Sequence, residues 1–173
     1  LAQPLRRQGV GAMILYGLDP GLTGAIALAV NGALIDVRDL PVRMEGGGMV
    51  KRRIDSAGLA AIVREWRAQL GVDSEMAVIE RVSAMPRQGS ASTFSLGHTA
   101  GAVEAVMLAL GCPVEFVAPA AWKRAAGLGR DKADSRARAS LIYPAQAGFW
   151  TRAKDHGRAE AALLARYGWD RLA

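Results

Sequence analysis

Sulfur and imidazole donors are almost missing from this sequence. It holds one cysteine, Cys112, and two histidines, His98 and His156, in 173 residues. An intramolecular disulfide and a cysteine-rich zinc site are therefore excluded, and the lone thiol fits a reducing compartment. Long apolar runs are also missing: no stretch nears the roughly 20 residues that a membrane helix needs. Internal repeats and low-complexity tracts are absent, and no linker divides the chain. Lysine is scarce as well, with Lys51, Lys123, Lys132 and Lys154 the only ones among 22 basic residues.

What is present is an ordinary globular composition, 51% hydrophobic and 22% charged, with a net charge of +6. That length suits one core between a sheet and flanking helices, and the charge favours a polyanionic partner. Leu1 to Ala12 reads as a disordered leader, because it has two arginines but no apolar segment, and one domain is expected over 13–173.

Ile14 to Leu18 and Gly24 to Val30 are short apolar runs, and Asn31-Gly32 suits a type I′ hairpin turn into a third strand, Ala33 to Asp39. The segment from Pro41 to Arg53, with Gly46-Gly47-Gly48 among Arg43, Lys51, Arg52 and Arg53, reads as a mobile basic loop. Asp55 or Ser56 can cap a helix reaching Leu70, stopped by Gly71. A buried strand, Met76 to Ile79, then delivers Glu80, and a polar loop through Pro86, Gln88 and Gly89 leads to a helix from about Ser92 to Leu110. Val114 to Val117 forms a fifth strand, and Pro119 starts a short helix carrying Trp122 and Lys123. Asp131 can cap another helix, ended by Pro144, and the last helix runs from Asp155 or His156 to Gly168. The order βββαβα, then strand and helices, is that of an α/β, RNase H-like fold: a five-stranded mixed sheet with helices on both faces.

Asp19 leaves an apolar strand into Pro20-Gly21, and Glu80 ends another. Taken singly, each is as well explained by a helix cap or an arginine partner. Glu160 opens a strongly apolar helical run, where it also suits the positive end of the helix dipole. Jointly, three acids at element ends suit a hard divalent cation, which takes carboxylates together with water and phosphate. Two such ions about 4 Å apart serve both sides of a phosphodiester.

Three motifs carry a resemblance. Gly17-Leu18-Asp19-Pro20-Gly21 with Thr23-Gly24, then Val78-Ile79-Glu80-Arg81-Val82, then Gly157-Arg158-Ala159-Glu160-Ala161-Ala162-Leu163, together resemble RuvC-type Holliday junction resolvases. Gln88 to Phe94 and Asp131 to Arg136 look like the phage or prophage-borne branch, so the likeness extends from Met13 to Gly168. It implies an endonuclease for four-way DNA junctions, acting as a homodimer with paired symmetric nicks and using Mg²⁺, with Mn²⁺ as a substitute. Other branched DNA, and junction binding without cleavage, stay open. Asp19, Glu80 and Glu160 become the implied metal ligands. Family members place an aspartate three or four residues before the last acid, where this chain has Gly157 and His156, so a shared role for Asp155 and His156 is expected. Lys123 and Lys132 resemble lysines near the scissile phosphate; unaided, both read equally as exposed lysines. Ser83 stands where an aromatic wedge is expected, and the apolar stretch Ala100 to Leu110 suits either a dimer face or the core.

Overall fold

The structure is a computed structural model that describes residues 12–45, 51–70, 73–83, 89–129 and 132–172. Its strands are β1 (Met13–Leu18), β2 (Ala25–Val30), β3 (Ala33–Asp39), β4 (Val42–Glu45), β5 (Lys51–Ile54), β6 (Ser74–Glu80) and β7 (Val114–Val117). The helices are α1 (Ser56–Leu70), α2 (Ser90–Ala109), α3 (Pro119–Ala125), α4 (Lys132–Ile142) and α5 (His156–Leu172), with 3-10 turns at Pro144–Trp150 and Ala153–Asp155.

The main sheet is mixed and runs β3-β2-β1-β6-β7. β1, β2 and β3 pair antiparallel, whereas β1–β6 and β6–β7 pair parallel. Asn31 and Gly32 both hold positive φ, 48° and 78°, as the expected hairpin turn requires. Alternation along β1 divides the core. Ile14, Tyr16 and Leu18 face α1 and α2, through Leu59, Val63, Trp66, Val103 and Met107. Leu15, with Val78 of β6, faces α5 through Ala161, Ala162, Leu164 and Ala165. Helices thus cover both faces, as the sequence pattern predicts.

The approach of α5 is unusually close, and two glycines allow it. A Cβ on Gly17 would stand 2.0 Å from the Ala161 carbonyl oxygen, and one on Gly168 would stand 2.6 Å from Val78 Cγ2. Gly168 therefore lies inside α5, which continues to Leu172, instead of ending it.

The basic segment departs from the expected loop. Val42 pairs with Ile54 and Glu45 with Lys51 in a two-stranded antiparallel ribbon. Ile54 is buried and Val42 packs beside it, so the ribbon has an apolar foot that its glycines and arginines hide. Pro144 likewise begins a 3-10 turn, where proline's fixed φ is accommodated, as well as following α4. The leader over 1–11, Gly46-Gly47-Gly48, Gly71, Pro86, Gln88 and Asp131 lie outside the described residues. Asp55 does cap α1: its carbonyl accepts from Leu59 and its Oδ1 accepts from the Gly58 N–H at 3.1 Å. Between Ala100 and Leu110, Val103 and Met107 are buried in the core, while Leu108 remains exposed. No described helix is long and apolar enough to cross a membrane.

Candidate active site

Parallel pairing brings the first two acids together. Leu18 of β1 pairs with Ile79 of β6, so the next step along each strand sets Asp19 beside Glu80 at the carboxyl ends of neighbouring strands. Alternation directs both toward the α5 face: Asp19 follows Leu15 and Gly17, and Glu80 follows Val78. The loop after Asp19 folds back on itself, with the Asp19 N–H donating to Ala25 O at 3.0 Å and the Gly21 N–H to Asp19 Oδ1 at 3.3 Å. Gly24 is demanded there, because a Cβ would stand 2.0 Å from the Asp19 carbonyl oxygen.

α5 brings the third acid. Its first turn packs on this loop so tightly that a Cβ at Gly157 would lie 3.0 Å from Asp19 Oδ2 and 2.9 Å from the Thr23 carbonyl oxygen. Because α5 begins at His156, His156 and Glu160 lie one turn apart on one face. Glu160 is buried, accepts from Ser135 Oγ at 3.1 Å, and has Lys123 Nζ at 3.9 Å from its Oε1. Lys123 also lies over the Trp122 ring, 5.2 Å from its centroid.

These groups act on one another's charge. Burial pushes the Asp19 carboxyl up to about 6; the Glu160 charge adds to the rise, and His156 and Lys123 oppose it. Burial likewise pushes Glu80 up to about 7, opposed first by Lys123 and aided by Asp19 and Glu160. The fully buried Trp122 turns its indole N–H toward Glu80 and favours the charged form, yet among the described residues that N–H has no acceptor within hydrogen-bond distance. Asp19, Glu80, Glu160, His156 and Lys123 therefore share one electrostatic environment in which negative charge exceeds positive.

Asp155 does not share it. Its carboxylate is held by Arg152, accepting from the backbone N–H at 2.9 Å and from the guanidinium at 2.8 and 3.0 Å. Those bonds hold its carboxyl below the usual range. An arginine fork thus occupies the Asp155 lone pairs, whereas no such fork holds Asp19 or Glu80 among the described residues. The Lys132 side chain lies outside the described residues. Ser135 and Trp122 had no signal of their own in the sequence: each approaches the acids only through the packing of α3 and α4 on α5.

The donors fit a hard divalent cation in kind: carboxylate oxygens, incompletely neutralised, at the rim of an apolar sheet. Among the described residues no group of three His, Cys, Asp or Glu side chains converges closely enough to hold an ion by itself.

No protein-family model matches the chain, and no curated protein matches its sequence. Solved structures do match it. T. thermophilus RuvC in complex with a Holliday junction substrate aligns with TM-score 0.54 and 19% identity, over 93% of this chain and 97% of that one. A second Thermus thermophilus RuvC structure aligns with TM-score 0.52 and 20% identity, over 92% and 96%. The likeness establishes the fold: this chain has the RNase H-like architecture of RuvC, as its sheet order and helix placement also indicate.

Proposed function

We propose that residues 13–173 act as a structure-selective endonuclease that hydrolyses DNA phosphodiesters at four-way junctions, as a homodimer, with a divalent metal such as Mg²⁺. The observation carrying this reading is the meeting of Asp19 and Glu80, on adjacent parallel strands, with Glu160 and Lys123 from packed helices. The RuvC fold, in a solved complex with such a junction, supports the choice of substrate.

In this reading Asp19, Glu80 and Glu160 are the residues that would hold the metal, together with water and substrate oxygens, and His156 shares the helix face of Glu160. When bound, the metal lowers the pKa of the attacking water and neutralises charge on the leaving oxygen. Lys123, beside Glu160, would supply an ammonium to neutralise the phosphoryl oxygens. Ser135 positions Glu160 through its hydrogen bond, Trp122 lies beside Glu80, and Lys132 at the start of α4 is a second candidate cation. His156 is the candidate proton carrier, as it lies near Asp19 and carries no hydrogen bond to a neighbouring acid among the described residues. Two copies related by a two-fold axis would nick opposing strands symmetrically.

The test is incubation with a synthetic four-way junction and Mg²⁺, beside linear duplex, a flap substrate and an Asp19→Asn variant. Paired nicks in the junction, lost in the variant, are expected. Equal cutting of linear duplex removes the junction assignment. Preference for the flap moves it to another branched substrate, and tight junction binding without any cleavage makes the protein a binding module.

A further inference from the structure

α3, α4 and the later turns of α5 enclose a cavity of about 530 Å³ that the carboxylate site does not use. Its wall includes Arg138, Ile142, Leu163, Arg166 and Tyr167, and Trp122 separates it from Glu80. The size lies within the range of small-ligand sites, about 300–1,000 Å³.

Arg138 is the anomaly. It is partly buried, its Nε is enclosed without an acceptor, and among the described residues it makes no hydrogen bond or ion pair. Other partly buried arginines are matched. Arg38, Arg53, Arg67, Arg158 and Arg166 each hold a carboxylate, and Arg136 holds the Thr151 carbonyl. A shielded Nε–H without an acceptor is costly, and the accessible remainder of the guanidinium is free to meet an anion.

The rest of the lining agrees in sign. Arg166 is neutralised by Asp170, with Nε at 2.7 Å from Oδ1, whereas among the described residues Arg171 meets only the Tyr167 hydroxyl and ring. Arg138 and Arg171 therefore leave the cavity cationic, beside the apolar surface of Ile142 and Ala126. That pairing of positive and apolar surface suits a phosphate joined to a sugar. Continuity selects the source. Leu163, in the cavity wall, follows Glu160 by three residues of α5, about 4.5 Å of rise, so the cavity adjoins the acids along one helix.

We infer that this cavity takes a backbone phosphate of the DNA strand beyond the reacting one, with Arg138 as its principal contact. The inference rests on the nuclease reading, because it assumes DNA at the acids. It assigns a strand path, and so a determinant of which branched substrates are held.

The experiment measures binding of a fluorescent four-way junction and a short single-stranded oligonucleotide, without divalent metal, across a series of salt concentrations. Wild type is compared with Arg138→Gln and Arg138→Lys, and circular dichroism confirms that each variant is folded. Arg138→Gln should weaken binding about tenfold and reduce the slope of log affinity against log salt by about one. Arg138→Lys should restore most of the slope. Unchanged affinity and slope in Arg138→Gln overturns the inference. So does a thermal shift with inorganic phosphate that Arg138→Gln abolishes while oligonucleotide binding is untouched, since that marks a small-anion site. Cleavage by the same samples in Mg²⁺ separates the two readings. Binding that depends on Arg138 without cleavage sinks the nuclease alone, and normal cleavage with normal binding in Arg138→Gln sinks the cavity alone.

Discussion

Two sets of shielded acids flank the start of α5, and their surroundings are opposite. In the turn before α5, Asp155 is enclosed by the donors of Arg152, which hold its carboxyl below the ordinary range. At the strand ends, burial raises Asp19 and Glu80 to about 6 and 7, with Glu160 adding to the repulsion. The first is a carboxylate completed by its own protein; the second is a set left for something outside. Burial of an acid alone therefore says little, and the partner it has been given says much.

The sharpest way to break this contrast is to neutralise one acid from each side. Glu80→Gln should cost on the order of 100-fold or more in junction cleavage, if its oxygen supplies several kcal/mol of charge stabilisation through a metal. The same change should leave the metal-free protein equally or more stable, since it removes a repelled, poorly solvated charge. Rate measured with thermal midpoint in a chelator checks both parts. A Glu80→Gln protein that cleaves normally, or that unfolds early, places Glu80 in the structural group.

Asp155→Ala should behave in the reverse way. Loss of the cap and the arginine fork should cost about 1 kcal/mol of stability, read from urea midpoints at constant slope. Cleavage at a temperature where the variant is folded should stay within about threefold of wild type. A hundredfold loss of rate with unchanged stability would return Asp155 to the metal site.

The sequence made half of this contrast legible. Apolar runs ending in an acid are local patterns, so β1 with Asp19 and β6 with Glu80 can be read directly, and the apolar stripe of α5 locates Glu160. Asp155 could not be resolved in that way, because Arg152 and Asp155 look like any charged pair near a helix start until the chain's entry into α5 is known. The β4–β5 ribbon was hidden for a related reason: its pairing of Val42 with Ile54 spans a glycine-rich tip, and local composition there resembles a loop. Gly168 misled because glycine ends helices more often than it packs inside them, and here it admits Val78 against α5. Trp122 and Ser135 were invisible, since contact with Glu80 and Glu160 depends on how α3 and α4 dock.

The smallest expected effect uses protons to separate the two groups without altering the chain. Asp19 and Glu80 have folded values near 6 and 7, above their ordinary 3.8 and 4.5. Between those limits the folded state binds more protons than the unfolded state, so their contribution falls as pH rises and is lost above the folded values. Asp155 and Asp39 are held low by Arg152 and Arg158, so theirs is present above the ordinary carboxylate range and is lost as pH falls through it. The metal-free protein should thus show a thermal midpoint that peaks at about pH 4, in the ordinary carboxylate range, and declines on both sides. Asp19→Asn should flatten the alkaline limb and leave the acid limb; Asp155→Ala should do the opposite. Mg²⁺ should raise the midpoint more at pH 7.5 than at pH 5, because its ligands must first be deprotonated. An alkaline limb that persists unchanged in Asp19→Asn would mean that the decline comes from other groups, and that the strand-end acids are no less satisfied than Asp155.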